Sequence, residues 1–428
     1  MTHVFRRSST LVGLLTTIAM LTPSTAFAAS PGDLDTTFGG GDGMATFSLS
    51  GSGEDLGTVL ATTGGKILLF GQDDFADDLA LARLSPNGDP DSTFGGGDGL
   101  VTLHFLPSVD AYNAVAALAG GKIMAAVDTH GAGNDVLGLA RFTPDGDPDP
   151  SFGGGDGKLL VGFGKPFAAY DMVALPNGKL LVSGEFYLSD QDSEFMVVRL
   201  NANGSLDHAF GGGDGFVRTQ FGSGEDGAWR MALDAHGRIV VAGWSREGIS
   251  GTYDTAVARY TPDGSPDHTF SGDGKLTVNV IEGEDDYAQG LGIQGDKIVA
   301  GDYTLLDGNN RIAMIRRLPS GQPDPAFGGG DGTVITRNGT DPKELDDLAV
   351  DASNRIVISG SIGALSSQMF VARYGPNGEL QTTFGTDGFG VTTFGTSVGN
   401  VGMSIAGNGK IVLGGEGTAD ASVARFVP

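Results

Sequence analysis

The stretch Pro144-Asp145-Gly146-Asp147-Pro148-Asp149-Pro150-Ser151-Phe152-Gly153-Gly154-Gly155-Asp156-Gly157 decides how this chain folds. Proline and glycine at this density punctuate tight turns. The pattern is a turn, an aspartate, two residues, a phenylalanine, a glycine run and Asp-Gly. It recurs along the chain, with its phenylalanines at Phe38, Phe94, Phe152, Phe210, Phe270, Phe327 and Phe384. The intervals are 56, 58, 58, 60, 57 and 57 residues, so one unit is present in seven copies.

Three further landmarks keep step. A small turn with a basic residue appears as Gly65-Lys66, Gly121-Lys122, Gly178-Lys179, Gly237-Arg238, Asp296-Lys297, Asn354-Arg355 and Gly409-Lys410. An apolar strand ends in Arg83, Arg141, Arg199, Arg259, Arg317, Arg373 and Arg425. An aspartate follows the glycine run at Asp42, Asp98, Asp156, Asp214, Asp273, Asp331 and Asp387.

Each unit reads as four short strands. In the first copy they fall near Met44 to Leu49, Gly57 to Ala61, Lys66 to Phe70 and Leu79 to Leu84. Gly64-Gly65 reads as a two-residue hairpin turn, and β-branched runs such as Ile356-Val357-Ile358 favour strands. Four strands in one repeat of this length make a propeller blade. The expected fold is all-β, a seven-bladed propeller over residues 29–428. An open β-solenoid is the rival, disfavoured because distinct capping ends are not visible. The blade register is open by one strand, and the innermost strand is not assigned.

Composition narrows the function. A net charge of −26 argues against nucleic acid and favours cations, basic partners or solubility. The absence of cysteine rules out disulfides, thiolate metal sites and cysteine nucleophiles. Residues 1–28 read as a signal peptide: Arg6 and Arg7, an apolar run from Leu11 to Leu21, then Ala26-Phe27-Ala28. A secreted or periplasmic chain is expected, a monomer without membrane insertion of its mature part.

The Pro144–Gly153 stretch resembles the signature of the delta-60 repeat, a unit found in secreted bacterial proteins. The resemblance spans essentially the whole mature chain. It implies a propeller-like fold outside the cytoplasm and brings no catalytic residues. The seventh copy departs from it, with Gln381 where the others have Asp35, Asp91, Asp149, Asp207, Asp267 and Asp324.

The repeated arginine lies eight residues before the turn aspartate in most copies, so a turn-locking ion pair is expected. The repeated phenylalanine is expected as a wedge between blades. The glycine-aspartate turns raise calcium as a cofactor, at the seven aspartates Asp42 to Asp387 named above. The antiparallel order puts two loop sets on one irregular face, where recognition is expected. Its acids include Glu54, Asp55, Asp73, Asp74, Asp77, Asp78, Glu225, Asp226, Glu284 to Asp286, Asp346 and Asp347. The chain's two tryptophans, Trp229 and Trp244, fall in one repeat with Arg246, Glu247 and Tyr253. That patch is the candidate ligand site for a sugar ring or a protein. Three functions follow: a non-enzymatic binding or scaffold propeller, a carbohydrate-active hydrolase or lyase, and a calcium-dependent adhesion module.

Overall fold

A computed structural model describes residues 29–428 apart from 50–53, 74–77, 106–108, 132–133, 249–250, 307–308, 337–342, 364–367, 395–397 and 418–419. The segment read as a signal peptide lies outside the described residues. The chain is a seven-bladed β-propeller, each blade a four-stranded antiparallel meander. From the channel outward, blade one has strands Glu54–Ala61, Ile67–Asp73, Asp78–Leu84 and Leu100–His104. The inner strands of the next five blades are Val109–Ala117, Phe167–Ala174, Asp226–Leu233, Tyr287–Gln294 and Lys343–Val350. Blade seven runs Val398–Ile405, Ile411–Gly417 and Ala421–Phe426, and its outer strand is the N-terminal Met44–Phe47.

This settles the open register. The strand that begins each sequence repeat is the outer strand of the preceding blade, and the strand after it is innermost. The pairing Met44↔Ala424 through Phe47↔Ala421 closes the ring. The hairpin read at Gly64-Gly65 is a wider loop, in which Thr62 N–H bonds the Lys66 carbonyl.

The third strand of a blade packs on neighbours through both faces. Asp78–Leu84 is buried from its second residue onward, and Ala421–Phe426 throughout. Such strands read as continuous apolar runs and not as alternating ones. The hydrophobic clusters therefore sit between blades. One joins Leu68, Phe70, Leu79 and Leu81 of blade one to Val115, Ile123 and Val127 of blade two.

The repeat landmarks, far apart in sequence, meet at one point per blade. Arg83 Nε and Lys66 Nζ lie 2.5 and 2.7 Å from the same Asp91 oxygen. The Arg83 guanidinium stacks 4.4 Å from the centroid of the Phe94 ring, and Nη1 donates to the Pro144 carbonyl of the next blade. Arg141, Arg199 and Arg425 reach the carbonyls of Ala202, Pro262 and Pro86 in the same way. Phe94 is fully buried and fills the space beside Gly146, where a Cβ would meet the ring at 2.8 Å. Gly153, the first glycine after Phe152, has φ +63°, and a Cβ there would overlap the Lys158 carbonyl. Only glycine fits such a position without strain.

The fifth arginine needs correction. Arg316, not Arg317, bonds Asp324 at 2.7 Å and stacks on Phe327. Arg316 lies eight residues before Asp324, as Arg83 does before Asp91, and it faces Val299 as Arg83 faces Leu68. Arg317 takes the place held by Leu84, Tyr260 or Tyr374 in other blades. In blade six, Arg373 Nε bonds the neutral Gln381 amide oxygen at 2.7 Å, and Arg355 turns to Asp351 instead.

Candidate functional site

Each described inner strand carries a β-bulge near its middle, at Leu56/Thr58 in blade one and Ala169/Asp171 in blade three. A bulge leaves one residue unpaired and re-aims its side chain. The residues just after the bulges are Thr58, Ala114, Asp171, Arg230, Gly290, Asp347 and Gly402. They form a level of the channel in which blades three, four and six carry charge.

Arg230 spans this level. Its Nε donates to the Gln289 carbonyl of blade five at 2.8 Å, and Nη2 to the Asp346 carbonyl of blade six at 3.0 Å. Asp171 accepts the N–H of Met172 at 2.7 Å and of Met231, in the next blade, at 2.8 Å. Asp347 accepts from Leu348 and, across the blade boundary, from Met403 at 3.0 Å. Asp346 accepts from Val401 at 3.0 Å. Burial raises the Asp171 and Asp347 carboxyls above their usual range, against the pull of the Arg230 charge. Burial likewise pushes Asp346 to about 7.

The turn aspartates behave oppositely. Burial opposes ionisation of Asp91, but Lys66, the Thr93 hydroxyl and N–H, and Arg83 outweigh it and hold the carboxyl far below its usual value. Asp207 is held at about 2, chiefly by Lys179. The two sets give opposite limbs. A carboxylate depressed by folding stabilises the chain above pH 4, and that contribution is lost as pH falls toward 2. A carboxyl raised by folding stabilises below pH 4, and that contribution is lost as pH rises toward 7. Thermal melts from pH 2.5 to 8 are therefore expected to peak at mildly acidic pH. Asp346→Asn, which keeps an acceptor for Val401, flattens the alkaline limb by about 1–2 kcal/mol. A limb that is just as steep in the variant removes Asp346 as its source.

On the loop face, above this level, five aromatic side chains from three blades touch in sequence. Tyr170 lies 5.9 Å from both Trp229 and Trp244, measured between ring centroids. Trp229 meets Trp244 edge to face at 4.8 Å, Trp244 meets Tyr287 at 6.3 Å, and Tyr287 meets Tyr253 at 4.9 Å. Charges fringe them. Arg246 lies 4.9 Å over the Tyr253 ring and 3.1 Å from Glu225, whose other oxygen takes the Tyr253 hydroxyl at 2.5 Å. Glu185 is buried beneath and accepts the hydroxyls of Ser193, Tyr170 and Tyr187 at 2.7, 2.8 and 3.1 Å. Burial raises its carboxyl, and burial together with the Glu185 charge raises the Tyr170 phenol.

Trp229, Trp244, Arg246 and Tyr253 are thus brought together. Glu247 stays exposed at the margin, 3.4 Å from the Ser223 hydroxyl. Tyr170, Tyr287, Glu185 and Arg230 belong to the same region and were not singled out from the sequence, whereas Glu225, read there only as an acid of the loop face, joins the aromatics. The acidic face is smaller than expected. Asp226 and Asp286 are fully buried, each bonded to backbone N–H groups of the loop before it, and Asp346 and Asp347 belong to the channel. Side chains of Glu54, Asp55, Asp73, Asp74 and Asp77 lie outside the described residues.

The aspartates proposed for calcium lie on the other face, exposed and one per blade. Asp42, Asp98, Asp156, Asp273 and Asp331 each accept the N–H two residues on, at 2.9 to 3.2 Å. Asp214 and Asp387 hold the same exposed turn position. Among the described residues, no group of three or more His, Cys, Asp or Glu is placed to hold a metal ion.

Five segments, 65–94, 121–152, 175–210, 237–270 and 295–327, match a family model described as "Domain of unknown function (DUF5122) beta-propeller". That is consistent with a β-propeller repeat family. No curated protein matches the chain. A polysaccharide lyase, an ulvan lyase solved with a bound oligosaccharide, superposes with a TM-score of 0.52 at 11% identity, over 89% of this chain and 94% of that one. BBS1N in complex with ARL6DN gives 0.46 at 13%, over 89% and 94%. A protein of unknown function from Dyadobacter fermentans gives 0.45 at 12%, over 90% and 100%. At these identities the likeness concerns the fold alone.

Proposed function

We propose that this chain is a secreted, non-catalytic binding propeller whose ligand is a glycan held at the aromatic mouth of the channel. The observation that carries this is the departure of blades three and four from the repeat. At the bulge level the other blades have Gly57, Asn113, Gln289, Asp346 and Val401, whereas blades three and four have Tyr170 and Trp229. Large aromatics placed where a repeat needs none, and fringed by Glu225 and Arg246, offer flat apolar faces beside hydrogen-bonding groups. Pyranose rings present the complementary surface. The leader-like N-terminus and the delta-60 resemblance support a location outside the cytoplasm.

Two observations favour binding over catalysis. A phenolate base needs a lowered pKa, and Tyr170 is shifted upward. Both oxygens of Asp171 and of Asp347 already accept backbone N–H groups.

The test uses the two tryptophans, both in the site, as the reporter. Neutral and acidic oligosaccharides are titrated into the mature protein while tryptophan emission is followed, first after chelation and then with millimolar calcium. The expected result is a saturable change for at least one neutral series, equal in both conditions, with affinity at least about 30-fold weaker in Trp229→Ala. An emission unmoved by the whole panel sinks the glycan reading. Binding only with calcium moves the ligand to a calcium-dependent site.

A further inference from the structure

The channel level below the aromatic mouth is lopsided. Arg230 crosses it on the side of blades four to six, tied to the carbonyls of Gln289 and Asp346. On the opposite side, blades seven, one and two carry Gly402, Gly57, Thr58 and Ala114. The small side chains leave a cavity of about 220 Å³, with Tyr170 on its wall beside Asp171, Arg230 and Asp347. Tyr170 also belongs to the aromatic mouth, so the two regions share a residue.

We propose that this cavity is the terminal subsite of the mouth and takes the hydroxyl-rich end unit of a neutral glycan. The proposal rests on the glycan reading and narrows it to chain ends. Three features lead there. Drug-sized ligands need pockets of roughly 300–1,000 Å³, so this one takes a single ring-sized unit. Arg230 fills the side of blades four to six, bonded to the Gln289 and Asp346 carbonyls, and the space left opposite holds a single unit, which suits a chain end better than an internal segment. The wall chemistry suits hydroxyls: a guanidinium donates, and a carboxylate has about four acceptor positions, of which backbone N–H groups occupy two in Asp171 and two in Asp347. Two carboxyl groups against one guanidinium leave no surplus positive charge on the wall to pair an anionic end unit.

Filling the cavity from the side away from the aromatics tests this. Gly402→Leu is suited because a Cβ there meets nothing closer than the Val59 nitrogen at 3.6 Å. Thr58→Leu fills it from blade one. The readout is tryptophan emission, with malto-oligosaccharides compared against cyclodextrins and linear against cyclic β-glucans. Linear chains are expected to bind at least tenfold more tightly than rings, and either filler to weaken the linear chains at least tenfold. Uronate-ended chains bind more weakly than neutral ones. Thermal melts of both fillers verify folding. Equal affinity for linear and cyclic forms, or unchanged affinity in a folded filler, overturns end recognition while leaving the glycan reading intact. Silence toward every saccharide overturns the glycan reading itself, and this proposal with it.

Discussion

Arg425→Ala is expected to destabilise the protein by about 3–5 kcal/mol, while Arg373→Ala costs about 1–2 kcal/mol. Both arginines hold the same place in their blades. Arg425 Nε lies 2.7 Å from Asp35, its Nη2 donates to Thr37, its Nη1 reaches Pro86, and its guanidinium sits 4.5 Å from the Phe38 ring centroid. Asp35, Thr37 and Phe38 come from the N-terminal end, so these contacts join the two ends of the ring. Removing the guanidinium strands a carboxylate that is 4% exposed, with Lys410 as its remaining charged partner. It also loosens Met44–Phe47, without which Ala421–Phe426 becomes an unpaired edge. Arg373 faces a neutral amide, so its loss strands no charge. Urea denaturation of the mature protein compares the two. Equal costs would mean that the closure is held by the strand pairing and the Phe38 wedge, with the ion pair adding nothing.

The architecture is readable in the sequence because its signal is repeated and local. Turns, strand lengths and the count of seven follow from glycine, proline and apolar runs within each unit. The offset that makes Met44–Phe47 part of the last blade is not local, since nothing in a single repeat says which neighbour its first strand joins. Arg316 was missed because the fifth copy has two adjacent arginines, of which only Arg316 keeps the eight-residue spacing to its turn aspartate, Asp324. The candidate site was half legible. The tryptophans stand out by rarity, but Tyr170 and Arg230 stand out only by alignment. Tyr170 and Trp229 each lie nine residues before the basic turn residue, Lys179 and Arg238, as Gly57 lies nine before Lys66. Asp171, Arg230 and Asp347 lie eight before theirs, where Thr58, Ala114 and Gly402 stand in other copies. Reading each repeat backward from its turn exposes both the aromatic mouth and the charged level. Reading for motifs does not, because neither has one. The burial of Asp226 and Asp286 was out of reach, since a carboxylate that caps a loop looks like any surface acid until the loop is folded over it.

Arg230→Met is expected to cost about 3–5 kcal/mol at pH 7.5 and distinctly less at pH 4.5. The side chain volume is nearly kept, so the loss is electrostatic. Two carbonyls, of Gln289 and Asp346, lose their donor, and Asp171 and Asp347 lose the one cation that offsets their burial. Without it both carboxyls are pushed further up. A carboxyl raised by folding contributes stability below its unfolded value near 4 and loses it as pH rises, so the variant suffers more at neutral pH. The double variant Arg230→Met/Asp347→Asn recovers part of the loss, because one of the two stranded charges is gone. Melts of the three proteins at the two pH values check this. A loss equal at both pH values assigns Arg230 to its carbonyl bonds alone. A variant as stable as the parent would mean that the inter-blade bonds of Asp171 and Asp347 hold the channel unaided. Arg230 would then be free to move within the channel level.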